Sequence, residues 1–407
     1  MNKPEQAIAA APTRAVPRHL LALLMAMTAI GPVSMNILIP ALPGLVVKLG
    51  TDVGTVQLTL SLYLVGLALS QLLLGSLSDR FGRRPVVLAG LSLTAVACIF
   101  AIAAASIEAL IAARIAQAFG ASTGMVIGRA IVRDLYDRER AAAMLGWVIT
   151  VMVVAPMVAP LIGGLLDTAF GWKMIFAFMA VLSCGVLAWT FFGLPETRPH
   201  TVTSGGVGYL LAEMHALVTN RSFLAYMLCA TFGSGTFFCF LGGAPFIVVT
   251  LMERSSAEYG GWFIIPALGY MAGNSFAGQF SRRFGIRRMI AIGVMAELAG
   301  ATASLVLMPH LIPMSPLPLF LAQMIITFGN GVLLPNALAG AISVRPQAAG
   351  AASGITGCAQ WSFGAVVAQT ISMAVTATLS AWSLQFAIFA CALALLATLA
   401  WMRRVAT

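Results

Sequence analysis

Apolar stretches of spanning length recur along the whole chain, at 20–40, 54–77, 85–105, 107–131, 141–166, 171–194, 223–250, 260–280, 289–308, 317–338, 348–376 and 381–402. A helix needs about 20 apolar residues to cross a bilayer core. These runs are apolar all round, whereas transmembrane strands alternate over ~10 residues. In lipid every backbone group must be bonded within its own segment, which leaves helices. The pattern therefore predicts an all-α integral membrane protein with twelve transmembrane helices. Composition agrees, since 9% of residues are charged and 60% hydrophobic, against about 25% charged in soluble domains. The first run, 20–40, is longer than the ~7–15 residues of a cleavable signal core and is expected to stay.

The net charge of +10 does not point to nucleic acid, because the charges fall in short loops between apolar runs. With both termini inside, nineteen of the 23 Lys and Arg residues lie in cytoplasmic segments. That bias predicts a multi-pass membrane protein with both termini cytoplasmic, and the family resemblance given below implies a bacterial inner membrane. The six cysteines all sit inside apolar runs with no CxxC spacing, and read as small hydrophobes. The four histidines lie at helix ends or in loops, and neither HExxH nor a P-loop is present. No catalytic residue, metal or cofactor is expected and nothing suggests ATP, while the family resemblance given below implies the proton gradient as energy source. The expected partners are a small-molecule substrate and the lipid bilayer, with the protein acting as a monomer.

Charge and hydropathy divide the chain into a cytoplasmic segment 1–19, a six-helix bundle 20–194, a central loop 195–222, a second bundle 223–402 and a tail 403–407. In the loop, the apolar spacing of residues 209–218 suits either a short amphipathic helix lying on the membrane surface or a merely apolar linker. An internal repeat supports the division. Residues 75–84 read GSLSDRFGRR and residues 278–287 read GQFSRRFGIR, 203 positions later, each between the second and third helix of its half. Two parallel six-helix pseudo-repeats around a midplane cavity are the expected architecture.

The segment Gly75-Ser-Leu-Ser-Asp79-Arg80-Phe-Gly82-Arg83-Arg84 resembles the loop motif G-x-L-A/S-D-R-x-G-R-K/R of the major facilitator superfamily. Gly75 is expected to let helices approach closely, and Gly82 to permit a tight turn. The arginines are expected to anchor the loop at the lipid surface. The resemblance implies that Asp79 latches the two halves when the outside gate is open. In the fourth run, Arg114-Ile-Ala-Gln117-Ala-Phe-Gly120-Ala resembles that superfamily's R-x-x-Q-G-x-G-A. A buried arginine is costly in a membrane, so Arg114 is expected to face the cavity. In the fifth run, Gly146, Pro156, Pro160, Gly163 and Gly164 resemble its antiporter motif, with Ala155 and Ala159 replacing two glycines. Small residues there allow close packing and prolines allow bending. The motif implies export.

Pro40-Ala-Leu-Pro43, Arg133-Asp134-Leu-Tyr136, Leu194-Pro-Glu196-Thr197 and the segment from Phe237 to Phe246 resemble the Bcr/CflA family of bacterial drug-resistance transporters. That family usually places an aspartate four residues before P-A-L-P, whereas this chain has Asn36, which cannot titrate. The acid deep in a span is Glu297, in the ninth helix, which the family architecture makes peripheral, and an intramembrane carboxylate is a coupling candidate. Asn36, Tyr63, Arg114, Gln117, Phe237, Glu297, Asn330, Gln360 and Trp361 are the candidate substrate and coupling residues, polar or aromatic groups in apolar runs. The expected function is proton-coupled export of small amphiphilic or neutral drugs by alternating access. Import of a metabolite by a facilitator or symporter is the alternative. Replacing the usual acid by Asn36 predicts a preference for neutral or anionic compounds over organic cations.

Overall fold

The computed structural model describes residues 18–136, 138–197, 207–307 and 315–405. The amino-terminal segment 1–17, Arg198, His200, the Gly/Ser stretch 203–206 and His310 lie outside the described residues, as do the side chains of Arg138 and Arg140. Among the described residues the chain forms fifteen α-helices and no strand. They are α1 (Arg18–Asn36), α2 (Leu42–Lys48), α3 (Val53–Phe81), α4 (Arg83–Ala103), α5 (Ile107–Leu135), α6 (Arg138–Phe170), α7 (Lys173–Gly193), α8 (Val207–Val218), α9 (Arg221–Pro245), α10 (Ser256–Trp262), α11 (Ile264–Phe284), α12 (Ile286–Leu307), α13 (Leu317–Val344), α14 (Ala349–Thr378) and α15 (Trp382–Val405).

Setting aside the short α2, α8 and α10, the twelve long helices occupy the twelve apolar runs. Ten are long and apolar enough to cross a membrane by length and composition alone. The exceptions, α11 and α14, carry polar residues: Asn274 and Gln279 on α11, Gln360 and Gln369 on α14. They belong to the set of helices that packs between the halves, where a helix need not match lipid.

Helix ends depart from the hydropathy boundaries where proline and glycine intervene. The first span stops at Asn36, ahead of Pro40 and Pro43, and continues as a 3₁₀ turn (Ile39–Ala41) and α2. The seventh stops at Pro245 and ends in a π turn, Phe246–Leu251. Asp52 caps α3, accepting from the Thr55 hydroxyl (2.6 Å) and N–H (3.0 Å), and these bonds hold its carboxyl below the usual range. At the other end, α3 runs through most of the loop motif to Phe81. Gly82, at φ +98°, then turns the chain into α4. Gly285, 203 residues later, turns α11 into α12 at φ +78°. A β-carbon is strained in this region, so both copies of the repeat need glycine there.

Packing repeats in the same way. α1 packs on α5 and α6, and its counterpart α9 packs on α13 and α14. α4 lies between α5 and α7, as α12 lies between α13 and α15. The end of the molecule holding Arg80, Arg84, Arg287, Arg288 and Arg403 is called the basic end below, and the opposite end the far end. At the basic end the family-like segments knit together within the first bundle. The Arg83 guanidinium bonds Asp79 (2.5 Å), Ser78 Oγ (2.6 Å) and Asp134 (3.0 Å). The Glu196 carboxylate accepts from the N–H groups of Arg83 (2.9 Å) and Arg84 (3.2 Å), at the positive end of α4. Three separated sequence motifs are thus one contact network.

The amphipathic segment is helical, as α8, and docks on the second bundle. Leu217 is buried against Phe223, Ala341, Ala348 and Ala352, and Glu213 pairs with Arg345 at 3.5 Å.

Candidate transport site

The two bundles meet along α3 with α14 and along α6 with α10 and α11, and the polar seam lies at the far end. Gln369 on α14 accepts from Ser61 Oγ (2.8 Å) and donates to Gly54 O (2.8 Å), both on α3. Asp167, at the end of α6, accepts from Lys48 (3.1 Å) and from Ser256 Oγ of the other bundle (2.8 Å). Thr168 Oγ1 accepts from Ala257 N at 3.2 Å. Backbones also touch: a β-carbon at Gly164 would collide with Ser256 O, and one at Gly260 with Pro160 O. Pro156 and Pro160 lack the N–H groups that would bond the carbonyls of Met152 and Pro156, leaving α6 easier to bend.

The basic end differs. Gly75 on α3, Gly146 on α6, Gly278 on α11 and Gly350 on α14 would each meet nothing within 4 Å if given a β-carbon. Gly75 and Gly146 were expected to allow close helix packing, and in this conformation they do not. Their helices stand apart there, and the glycine of α14 that approaches α3 towards that end, Gly354, meets Gln71 and Leu72 only in ordinary contact, at 3.5 Å and 3.7 Å. The far end is closed and the basic end splayed. Asp79 correspondingly bonds within its own bundle.

Arg114 was expected to face a cavity, but it is 1% exposed and faces α1 and α3. Its Nη1 donates to Ser34 O (2.8 Å) and to Gln117 Oε1 (2.5 Å), its Nε to Thr59 O (3.3 Å), and its guanidinium lies 4.1 Å from the Tyr63 ring centre. Gln117 in turn donates to Cys98 Sγ (3.1 Å), and Tyr63 to Gly31 O (3.2 Å). One guanidinium thus ties three helices. Arg114→Lys keeps a cation but not the planar fork, so at least one buried acceptor loses its donor, at about 1–3 kcal/mol. Thermal unfolding in detergent is expected at a clearly lower Tm than the parent. An unchanged Tm would mean that the fork does not hold the bundle.

No carboxylate pairs with Arg114 among the described residues, and its Nη2 has no hydrogen-bond partner. Other buried polar atoms on α1 and α3 are also unpartnered. Asn36, which donates to Pro32 O (2.9 Å), has a free Oδ1. Ser34 Oγ and both polar atoms of Gln57 are also free. Gln57 escapes sequence reasoning because a single glutamine near the start of a run resembles an interfacial residue; its complete burial reveals it.

Glu297 is fully buried, facing α9 and α13 and not the periphery. The ninth helix is peripheral on one face, and Gly233 and Gly329 leave room for the carboxyl on the other. Its Oε2 lies 3.1 Å from Thr236 Oγ1, which also donates to Gly233 O (2.7 Å) and accepts from Asn330 Nδ2 (3.1 Å). With the threonine proton on Gly233 O, Thr236 can accept from a protonated Glu297. With that proton turned, it can donate to the carboxylate. The cluster therefore has partners for either protonation state. No cation reaches it among the described residues, and Oε1 has no partner.

The nine candidate residues thus do not form one site. Asn36, Tyr63, Arg114 and Gln117 gather in the first bundle, Glu297 and Asn330 in the second. Phe237 packs on Phe238 and Phe263, Trp361 packs edge-on against Phe238, and Gln360 donates to Ala230 O at 3.3 Å. Thr236, Asp167 and Gln369 were missed, being common polar residues whose partners lie far away in sequence.

Two six-helix bundles meeting along four spans, closed at one end and splayed at the other, define a multi-pass membrane transporter. Residues 24–359 match the family model Major Facilitator Superfamily. The chain is 32% identical over 340 residues to Multidrug resistance protein D of Escherichia coli, covering 83% of this chain and 84% of that one. It is 35% identical over 270 residues to the Chloramphenicol resistance protein of Pseudomonas aeruginosa, covering 66% and 63%. It is 23% identical to the Bicyclomycin resistance protein homolog of Haemophilus influenzae, covering 84% and 85%. The fold is similar to a bacterial homolog of the human lysosomal transporter Spinster, with TM-score 0.70 at 14% identity over 98% of each chain. The chain belongs to the major facilitator superfamily, and its relatives make it Bcr/CflA-like.

Proposed function

We propose that the protein exports small amphiphilic or neutral drugs, chloramphenicol-like or bicyclomycin-like, by proton-coupled alternating access. It works as a monomer in a bacterial inner membrane, with its basic end and both termini in the cytoplasm. The observation that carries the substrate class is the guanidinium of Arg114, which no carboxylate neutralises among the described residues, in a bundle whose first helix carries Asn36 in place of the usual acid. Such a group attracts carbonyl, nitro or hydroxyl oxygens and repels organic cations. The names of the resistance proteins similar to it support drugs as cargo. In this conformation a drug enters from the cytoplasm, and the far-end seam must then open for release. The cargo and protons are the partners, with no cofactor.

Intact cells lacking their own exporters test the proposal by accumulation of labelled chloramphenicol, with and without the protein. Lower accumulation that a protonophore abolishes is the expected result. Higher accumulation would make it an importer. Asn36→Asp restores a carboxylate to the first helix of the bundle that holds Arg114, where it can take a cation as partner. The ratio of cationic to neutral drugs exported, read from resistance profiles, is expected to rise by about tenfold, the effect of roughly 1.4 kcal/mol. An unchanged ratio would separate charge selection from this position.

A further inference from the structure

We propose that the basic end of the second bundle holds the headgroup of an anionic membrane phospholipid. Two adjoining cavities lie there, each of about 190 Å³, sharing Arg287 and Met402. One opens between Ser222, Tyr226, Ser343 and Val344; the other between Arg288, Ala291, Leu399 and Arg403. Neither takes part in the transport site described above.

The internal repeat shows what is missing. In the first bundle the positive end of α4 receives the Glu196 carboxylate, carried in by the chain that follows α7. In the second bundle the corresponding end of α12 begins at Ile286, and the chain that comes to it is the end of α15. That helix runs on to Val405 without a Leu-Pro-Glu break and presents Arg403 instead of a carboxylate. Where one half places an anion, the other places three arginines at a helix N-terminus. Among the described residues no carboxylate pairs with Arg287, Arg288 or Arg403. The acidic partner those residues offer at this end of the second bundle, Glu213, is taken by Arg345. Like charges gathered this closely repel one another unless an anion sits between them. Guanidinium groups and the first N–H groups of a helix are also the donors that suit a phosphate.

The surroundings favour a lipid over a soluble anion. Beyond the arginines the wall is apolar, with Ala291, Leu399 and Met402. Further along α12, Met295 is 56% exposed on the surface that meets lipid. A phosphate bound there leaves its acyl chains against that surface. Basic pockets between helices at a membrane surface take such headgroups.

The test uses the purified full chain in neutral detergent. It is titrated with phosphatidylglycerol, with phosphatidylcholine of the same acyl chains, and with inorganic phosphate. Retained lipid is counted by native mass spectrometry, and Tm is recorded alongside. Phosphatidylglycerol is expected to be retained and to raise Tm, while phosphatidylcholine does neither. The variant Arg287→Gln/Arg288→Gln/Arg403→Gln is expected to weaken retention on the order of a hundredfold, about fivefold for each arginine. Arg282→Gln/Arg283→Gln removes two charges at the same end outside the cavities and is expected to change retention by less than about fivefold, the share of one arginine. Equal losses in the two variants would mean a diffuse charge effect and overturn the site. So would full retention by the triple variant. If inorganic phosphate displaces the lipid and raises Tm equally, the occupant is a soluble anion and the lipid assignment falls. Should the triple variant not fold, Arg403→Gln alone, at an exposed helix end, is expected to show the single fivefold loss, and no loss would overturn the site.

Discussion

Gly164→Val is expected to lower transport on the order of a hundredfold while leaving the protein folded. In the closed far end, α6 lies directly on α10, and a side chain at residue 164 would occupy the place of Ser256 O. Overpacking of a tight contact costs about 1–3 kcal/mol. Here the obstacle is backbone, which cannot turn aside as a side chain can, so the upper value applies. Because the contact exists in one conformation alone, the cost falls on the equilibrium between conformations. About 3 kcal/mol shifts that equilibrium by roughly two orders of magnitude. Export requires every cycle to pass through the far-end-closed state, so turnover falls with its population. Two measurements separate this from misfolding. A cysteine at Ser61, 5% exposed in the closed seam, is expected to react much faster with a charged maleimide in the Gly164→Val background than in the parent. Gly185→Val, at a helix position that meets nothing within 4 Å, is expected to transport like the parent. Full transport by Gly164→Val would show that far-end closure does not require this contact.

Glu297→Gln is expected to separate proton coupling from drug movement. Glutamine has the same size and can keep the bonds to Thr236, but it cannot take up or release a proton. Protonophore-sensitive efflux is therefore expected to fall on the order of a hundredfold, as when a positioned proton carrier is lost. Exchange of labelled for unlabelled drug across proteoliposomes, which needs no net proton movement, is expected to remain. Parent-level uphill efflux would move coupling to another group, and loss of exchange as well would give Glu297 a structural role. The idea draws its strength from Asn36: with the usual acid of the first helix absent, a carboxyl with no cation partner among the described residues is the available carrier.

Most of the fold could be read from residue order. Twelve runs too apolar for water and too long for strands become helices because lipid offers the backbone no other partners. The 203-residue repeat carried the two bundles, down to Gly82 and Gly285 in matching turns. Gly163 and Gly164 could be marked as close-packing residues from the helix-five motif. By contrast, Gly75 and Gly146 bear the same signal and touch nothing, since a glycine pattern records contacts of the whole transport cycle and a structure holds one state of it.

The site was legible only as a set of residue types. Sequence identifies Arg114 and Glu297 as ions in lipid and so as costly and purposeful. Which helices they face, and that neither has an ion-pair partner among the described residues, follow from helix rotation and packing. Hydropathy does not record these, because a buried face and a lipid face are equally apolar. The far-end clasp of Asp167 with Ser256 and of Gln369 with Ser61 joins residues 89 and 308 positions apart, a pairing no local pattern encodes. What the sequence by itself determined was the number of helices, their repeat and the chemistry buried among them. What only the tertiary structure decided was which polar groups meet, which remain unpartnered and which end of the molecule is shut, because these depend on how whole helices turn and tilt against one another.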